Sequence, residues 1–398
     1  VKYRWSLVAP FIAVFAVTQP DAVQAQGMEV TSAKVYMKEN PPRLDKAAEL
    51  LKTALEKDPK HTEAHFFLGM VNYYQGNFDG FFEHWNQVVY DKLSKAEKTQ
   101  YVSQLKDMVR LRVGDTTKQY EAKKFDGAVK QAKAALKAID MLHAVLKTST
   151  KKEDVAAVTS LEANRTQSYL YMGFAANSAG MLEESAMALE KIVAADPKNF
   201  QAWDGLVNTY ARQKDNDKLI GAANKSIELN PQPDKDTYLI LRNAHFAKTD
   251  TASVLMTYER AITAFPTDYG LYRDLSSLYA NARAYDKAAT VLEKGNTNIP
   301  GNLDILGMLS AVYYNMGFVK QEAGDKMAAK EAFSKAVPIL ESLLQIEPKS
   351  IDGNDTMGKV YHGLGKVESN TAQQQALNAK GDEFIAKRRE LIRTGVGK

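Results

Sequence analysis

Three groups of residues have types and spacings that could do chemistry. Gly353 to Lys359 reads G-x-x-x-x-G-K, the spacing of a loop whose backbone N–H groups cradle phosphates. Such a loop also needs Ser or Thr after the lysine, to hold magnesium, and a strand before it. Val360 follows the lysine here, and no strand is legible upstream. His61 and His65 are four residues apart, so a helix would put both on one face as two zinc ligands, but no third ligand stands at a telling spacing. Acidic residues are scattered at helical surface spacing, as solvated faces are, and do not cluster. Neither a Gly-x-Ser-x-Gly elbow nor a His-Glu-x-x-His pair occurs. The 398 residues contain no cysteine, which removes disulfides, thiolate zinc sites, thiol catalysis and lipid attachment at a cysteine. The sequence therefore predicts no catalytic residue, no metal and no cofactor, and a chain that is not an enzyme.

The elements that would position any site show themselves through prolines. Asp58-Pro59, Asp196-Pro197, Asn230-Pro231, Phe265-Pro266, Ile299-Pro300 and Glu347-Pro348 all read as helix stops, because Pro lacks an N–H and restricts the residue before it. Pro197 to Pro231 and Pro266 to Pro300 are each 34 residues, and Pro231 to Pro266 is 35. With the proline as position 32 of a unit, units start at Thr166, Phe200, Lys235 and Tyr269. Position 4 then holds Tyr169, Trp203, Tyr238 and Tyr272, and position 7 holds Met172, Leu206, Leu241 and Leu275. Position 11 holds Tyr210 and Tyr279, and position 24 holds Leu189, Tyr258 and Leu292. Upstream, Leu68-Gly69, Gly76 and Trp85 fall at positions 7, 8, 15 and 24; downstream, Met357-Gly358, Tyr361 and Gly365 fall at 7, 8, 11 and 15. Positions 4, 7 and 11 form the buried stripe of a first helix, and position 8 must be small so that two helices approach closely. Gly76 and Gly180 fall at the turn, where glycine tolerates left-handed angles. Met357-Gly358 and His65 are thus explained as packing positions, and His61 as an inter-repeat turn residue. Trp85 and Trp203 are expected in the core.

This pattern of aromatic, Leu, small residue, Tyr and terminal Pro in one register resembles the tetratricopeptide repeat (TPR). The resemblance implies an all-α fold, a right-handed superhelical solenoid of antiparallel helix pairs in which each pair covers its neighbour's apolar face. Four consecutive units over 166–302 carry it most clearly, and TPR-like repeats precede them over 26–93. Between these, 94–165 reads as an expanded, divergent hairpin that includes a polar connector at 147–154. An expanded helix pair occupies 303–350, about 14 residues over the repeat length, and 351–398 holds a last repeat and a capping helix. In proteins that look like this, the first helix of each pair lines a groove with positions 2, 5, 9, 12 and 13. Carried over, these give Phe66, Met70, Tyr73 and Tyr74; Leu170, Phe174 and Asn177; Asn208 and Arg212; Asn243 and Phe246; Arg273 and Asn281; and Tyr314. The N-terminal part would anchor side chains on aromatics. The middle part would hydrogen-bond an extended backbone or hold a carboxylate. The family's clamp for a C-terminal carboxylate, with its Lys and Asn set, is not reproduced.

Composition bounds the partner. Charged residues make up 25% and the net charge is +4, too small over this length to suggest nucleic acid as ligand. Residues 1–25 read as a cleavable export signal: Lys2 and Arg4, then an apolar run from Trp5 to Val17, then Val23 and Ala25 at the small positions before a cut at Gln26. The run is shorter than a spanning helix needs, and no other run approaches that length, so the mature chain is expected to have no transmembrane segment. The expectation is a periplasmic or secreted TPR scaffold or adaptor that binds a protein or peptide partner. Two alternatives stay open: a helper subunit or enzyme acting on envelope polymers, and an assembly factor anchored by an uncleaved N-terminal helix. Partner identity and oligomeric state are not legible.

Overall fold

The computed structural model describes residues 21–147 and 151–395. Residues 1–20, which hold most of the expected export signal, lie outside them. Every regular element among the described residues is helical. Two compact units divide the chain, one ending at Gly205 and one starting at Leu206. The division falls inside the run 166–302.

The first unit contains α1 (Asp21–Lys38), α2 (Leu44–Lys57), α3 (Thr62–Tyr74), α4 (Phe78–Trp85), a short 3₁₀ turn at Tyr90–Lys92, α5 (Lys95–Glu121), α6 (Phe125–Leu146), α7 (Lys152–Ala179) and α8 (Leu182–Ala195). Helix α9 (Phe200–Gln213) crosses the division. The second unit continues with α10 (Asn216–Leu229), α11 (Lys235–Ala247), α12 (Thr251–Ala264), α13 (Tyr269–Asn281), α14 (Tyr285–Asn298), α15 (Leu303–Glu322), α16 (Lys326–Ile346), α17 (Ile351–Val367) and α18 (Thr371–Arg393). Odd-numbered helices are the first of each pair. Within each unit, most consecutive helices pack on one another. All six proline-marked stops hold: α2, α8, α10, α12, α14 and α16 each end two residues before the proline.

One turn recurs between the helices of a pair. Gly76, Lys123, Gly180, Lys214, Thr249, Arg283 and Gly324 all have left-handed backbones, with φ from 56° to 83°. The hydrogen bonds are the same each time. At Thr249, its N–H donates to the Phe246 carbonyl at 2.9 Å and the Asp250 N–H donates to the His245 carbonyl at 3.0 Å. This satisfies the last carbonyls of the first helix. Four of the seven positions carry a side chain that this conformation disfavours. The expectation of a turn glycine is correct at Gly76 and Gly180, and the conformation persists where the glycine does not.

The turn also sets which residues face each other. The residue seven before it meets the residue nine after it. A Cβ on Gly69 would lie 2.1 Å from Trp85, one on Gly173 2.5 Å from Leu189, and one on Gly317 2.6 Å from Phe333. In the fourth case the bulk moves to the first helix, and Arg242 Nη1 donates to the Tyr258 hydroxyl at 2.6 Å. The expanded pair obeys the same rule. Helices α15 and α16 run 20 and 21 residues, against 13 and 14 for α13 and α14, so seven residues are added on each side of the turn. Seven residues are close to two helical turns, so the buried stripe stays on one face.

Two boundaries differ from the sequence reading. Helix α7 runs unbroken through 165/166, because neither Pro nor Gly interrupts Lys152 to Tyr171. The connector is correspondingly shorter, and Asp154 already lies in the first turn of α7. Trp85 is in the core at 1% exposure, but Trp203 is only half-buried, with Nε1 donating to the Pro197 carbonyl at 2.9 Å. The tail is a largely exposed helix, α18, packed on α17.

Candidate partner-binding site

The residues with chemical potential turn out to be structural. Gly353 to Lys359 lies in helix α17, not in a loop. Gly353 admits Leu343, Gly358 admits Ile385, and Lys359 pairs with Asp355 at 2.6 Å. His61 caps α3, its Nδ1 accepting from the Ala64 N–H at 3.2 Å. His65 is buried, with Nε2 3.0 Å from the Pro59 carbonyl and Nδ1 3.2 Å from His84 Nδ1. Burial first, and then the neighbouring His65, hold the His84 imidazole below its ordinary range.

Two of the expected groove residues need correction. Phe66 and Met70 are fully buried. Phe66 stacks on Trp85 with centroids 5.4 Å apart, and both join a cluster with Phe81, Tyr101 and Met108. Positions 5 and 9 of this unit turn inward because the long helix α5 packs over α3 and α4 with a row of apolar residues that must be covered. The outer end of α3 stays accessible: Tyr74 is exposed and Tyr73 half-buried, with rings 5.7 Å apart. Although Tyr74 is exposed as a residue, partial desolvation of its hydroxyl, with Tyr73 adding to it, raises the hydroxyl's pKa. Leu170, Phe174 and Asn177 lie half-buried along α7, Phe174 6.5 Å from Tyr120. Tyr314 is half-buried against Phe318 and Phe333.

The remaining expected residues, Asn208, Arg212, Asn243, Phe246, Arg273 and Asn281, are all exposed on first helices of the second unit, apart from α9's straddling start. Asn243 is oriented. Its Oδ1 accepts from Arg242 Nε at 3.2 Å and Nη2 at 2.8 Å, which leaves the amide N–H₂ for a ligand carbonyl. Arg273 is less available than the sequence suggests, because Nε and Nη2 both engage Asp274, at 2.9 and 2.8 Å.

Each unit contains a cleft between consecutive first helices. In the second unit a cleft of about 580 Å³ separates α15 from α17. Asp304, Gly307 and Ala311 line one wall and Asp352, Asp355 and Lys359 the other, which are positions 2, 5 and 9 of each first helix. Gly307 and Ala311 keep the cleft open because they have almost no side chain. Asp355 is neutralised by Lys359 and by Arg388 at 3.2 Å, whereas Asp304, Asp352 and nearby Glu347 form no ion pair with a described residue. This cleft is acidic. In the first unit a cleft of about 510 Å³ separates α5 from α7, with Val109, Val113, Leu142 and Leu161 as its floor and Lys106 and Arg110 on its edge. Neither cleft was found by the groove positions drawn from the sequence. The first is formed by positions 2, 5 and 9 of units from which only Tyr314 was carried over as a groove residue, and the second lies in 94–165, from which no groove position was carried over. The signal was present in both: small residues at helical spacing, Gly307-Ala311 and Gly114.

The tetratricopeptide repeat family model matches residues 43–96, which spans α2, α3 and α4. No curated protein matches the sequence. Among solved structures, a MamA protein is 22% identical, with 47% of this chain and 94% of that one covered and a TM-score of 0.32. YrrB, described as a TPR protein with an unusual peptide-binding site, is 16% identical over 49% of this chain and 94% of its own, with a TM-score of 0.31. The P58(IPK) TPR domain is 12% identical over 94% of this chain and all of its own, with a TM-score of 0.27. The fold assignment rests on the stacked antiparallel pairs, their repeated turn and the family match. These define an all-helical repeat protein. The repeat over residues 43–96 matches the tetratricopeptide type.

Proposed function

We propose that this chain is a scaffold or adaptor, exported to the cell envelope or beyond it, that binds an extended protein segment along the first-helix faces and carries out no catalysis. One observation carries the reading. Positions 2, 5 and 9 of α15 and α17 converge on a cleft of about 580 Å³ with small residues, Gly307 and Ala311, on one wall. An extended peptide can lay alternate side chains into such clefts while Asn243 and its neighbours take its backbone. The acidic α15–α17 cleft suits a basic or donor-rich segment, and the apolar α5–α7 cleft with its Lys106 and Arg110 edge suits an apolar one beside a carboxylate. A net charge of +4 favours no nucleic acid, and no helix among the described residues is long and apolar enough to cross a membrane.

Export rests on the three-part pattern of residues 1–25. N-terminal sequencing of the protein from its producing cell tests it: a start at Gln26 supports export with cleavage, and a retained N-terminus refutes it. Binding is tested by affinity capture from envelope extracts with wild type and the Asn208→Ala/Asn243→Ala/Arg273→Ala variant. Loss of a captured partner is the expected result. Unchanged capture of every partner refutes the assigned face.

A further inference from the structure

The first unit has another cleft, on the side of the second helices and at the hairpin turns, away from the first-helix clefts. It encloses about 570 Å³ between α4 and α6. On α6, Asp126, Lys130, Lys133 and Lys137 face it from one side of the helix, at spacings of three and four. Phe78, Phe82 and Met181 supply apolar wall, and Arg112 of α5 closes it. The lining holds four cations, Arg112 and the three lysines, and two carboxylates, Asp79 and Asp126; Lys133 is already paired with Glu184 at 2.9 Å, which leaves Arg112, Lys130 and Lys137 for an anionic ligand.

Arg112 is what makes this cleft a site. It is only 4% exposed, and its guanidinium lies 3.9 Å over the Phe78 ring. Nη1 is used within the protein, donating to Gln131 Oε1 at 2.6 Å and lying 3.4 Å from Asp115. The opposite edge is not: Nε is buried without a hydrogen-bond partner, and Nη2 bonds to no described residue. A buried donor left in that state is unfavourable, so the fold holds an unfilled demand for an acceptor. The Nε–Nη2 edge is the one that binds a carboxylate through two parallel bonds. The lysines are arranged around it. Lys137 lies 5.7 Å from the Phe82 ring centre and has no ion pair with a described residue, and Lys130 reaches only a loose, exposed contact with Asp79 at 3.5 Å.

We infer that this cleft binds an acidic peptide segment, with a Glu or Asp side chain seated on the free edge of Arg112, apolar neighbours against Phe78 and Phe82, and flanking carboxylates near Lys130 and Lys137. The apolar wall favours a peptide over a free anion, which would leave those rings wet. The site is independent of the first-helix clefts, and either can fail alone.

The test uses the full chain and a fluorescein-labelled peptide of alternating Glu and Leu, with Gln replacing Glu in the reference, read by fluorescence anisotropy. The Glu peptide is expected to bind tighter than the Gln peptide by about tenfold or more. Lys130→Glu/Lys137→Glu should weaken it by about tenfold or more, whereas Lys46→Glu/Lys191→Glu, an equal charge change on exposed residues elsewhere in the unit, should change it less than about twofold. Arg112→Lys keeps the charge and loses the fork, so it should weaken binding at unchanged net charge. If that variant does not fold, the lysine pair carries the test. Equal binding of the two peptides, no binding of either, or an equal loss in the control pair overturns the inference. Displacement by inorganic phosphate at the peptide's own concentration would assign the cleft to a free anion and also overturn it.

Discussion

Gly69→Ala should be among the most damaging single-methyl changes in this protein, and the structure says by how much. The added Cβ would lie 2.1 Å from Trp85 Cδ1 and 2.5 Å from Nε1. The indole has no room to retreat. It is 1% exposed, is stacked on Tyr101 at 4.4 Å and 12°, and touches Phe81 from another side. Nε1 donates to the Phe66 carbonyl at 2.9 Å, so displacing the ring also strands a buried donor. Overpacking costs about 1–3 kcal/mol, and the lost hydrogen bond costs about 1–3 more. Alanine's better helix propensity returns about 1. The net is about 1–5 kcal/mol of lost stability. With a urea slope of about 2 kcal/mol/M, the midpoint should fall by about 0.5–2.5 M. Trp5, Trp85 and Trp203 are the only tryptophans and all precede the division at Leu206, so intrinsic fluorescence reads the first unit alone. Gly221→Ala is the control, read by circular dichroism because it lies in the second unit. That helical glycine is exposed with nothing within 4 Å of its Cβ, and the same change there should stabilise the second unit by about 0.5–1 kcal/mol. A Gly69→Ala midpoint equal to wild type would refute the helix-approach argument.

Other outcomes follow from single features. Thr249 holds a β-branched side chain at φ 57°, so Thr249→Gly should raise stability by about 0.5–1 kcal/mol despite the added chain entropy, read as a higher thermal midpoint by circular dichroism. Pro338 sits inside α16, where it removes one ladder bond; Pro338→Ala should also raise that midpoint, and no rise would show the helix already adapted around it. The His84 imidazole is kept neutral in the fold by burial and by His65, so the unfolded chain binds the proton more tightly. Its contribution is intact above the ordinary histidine value of 6.5 and is lost as pH falls below it towards the lowered folded value. The urea midpoint of the first unit should therefore drop between about pH 7 and pH 5, and His84→Gln should flatten that slope. Glu83, which opposes the shift, and Lys52, which adds to it, leave the sign unchanged.

How much of this was legible depends on what each residue type can signal alone. The helix stops were, because proline has one backbone consequence wherever it falls. The position 7 residues Leu68, Met172, Leu206, Leu241, Leu275 and Met357 are all buried as the period requires. Turn geometry was legible only at glycines, since Lys123, Lys214, Thr249 and Arg283 give no local sign of a left-handed backbone that is imposed by two helices meeting. The burial of Phe66 and Met70 was hidden because a groove position is exposed only if the neighbouring first helix leaves it so, and α5 does not. Arg112 was invisible for a related reason. Its significance comes from which of its nitrogens Gln131 and Asp115 occupy, a matter of approach angles between helices rather than of spacing.

The account depends most on the claim that partners are held by first-helix faces. Photo-crosslinking in the producing cell tests it, with benzoylphenylalanine placed singly at Asn243 and Ala311, on first helices, and at Glu228 and Thr290, on second helices of the same unit. The prediction is a protein adduct of one mass from Asn243 and Ala311 and none from Glu228 and Thr290. Adducts from Glu228 and Thr290 alone would contradict it.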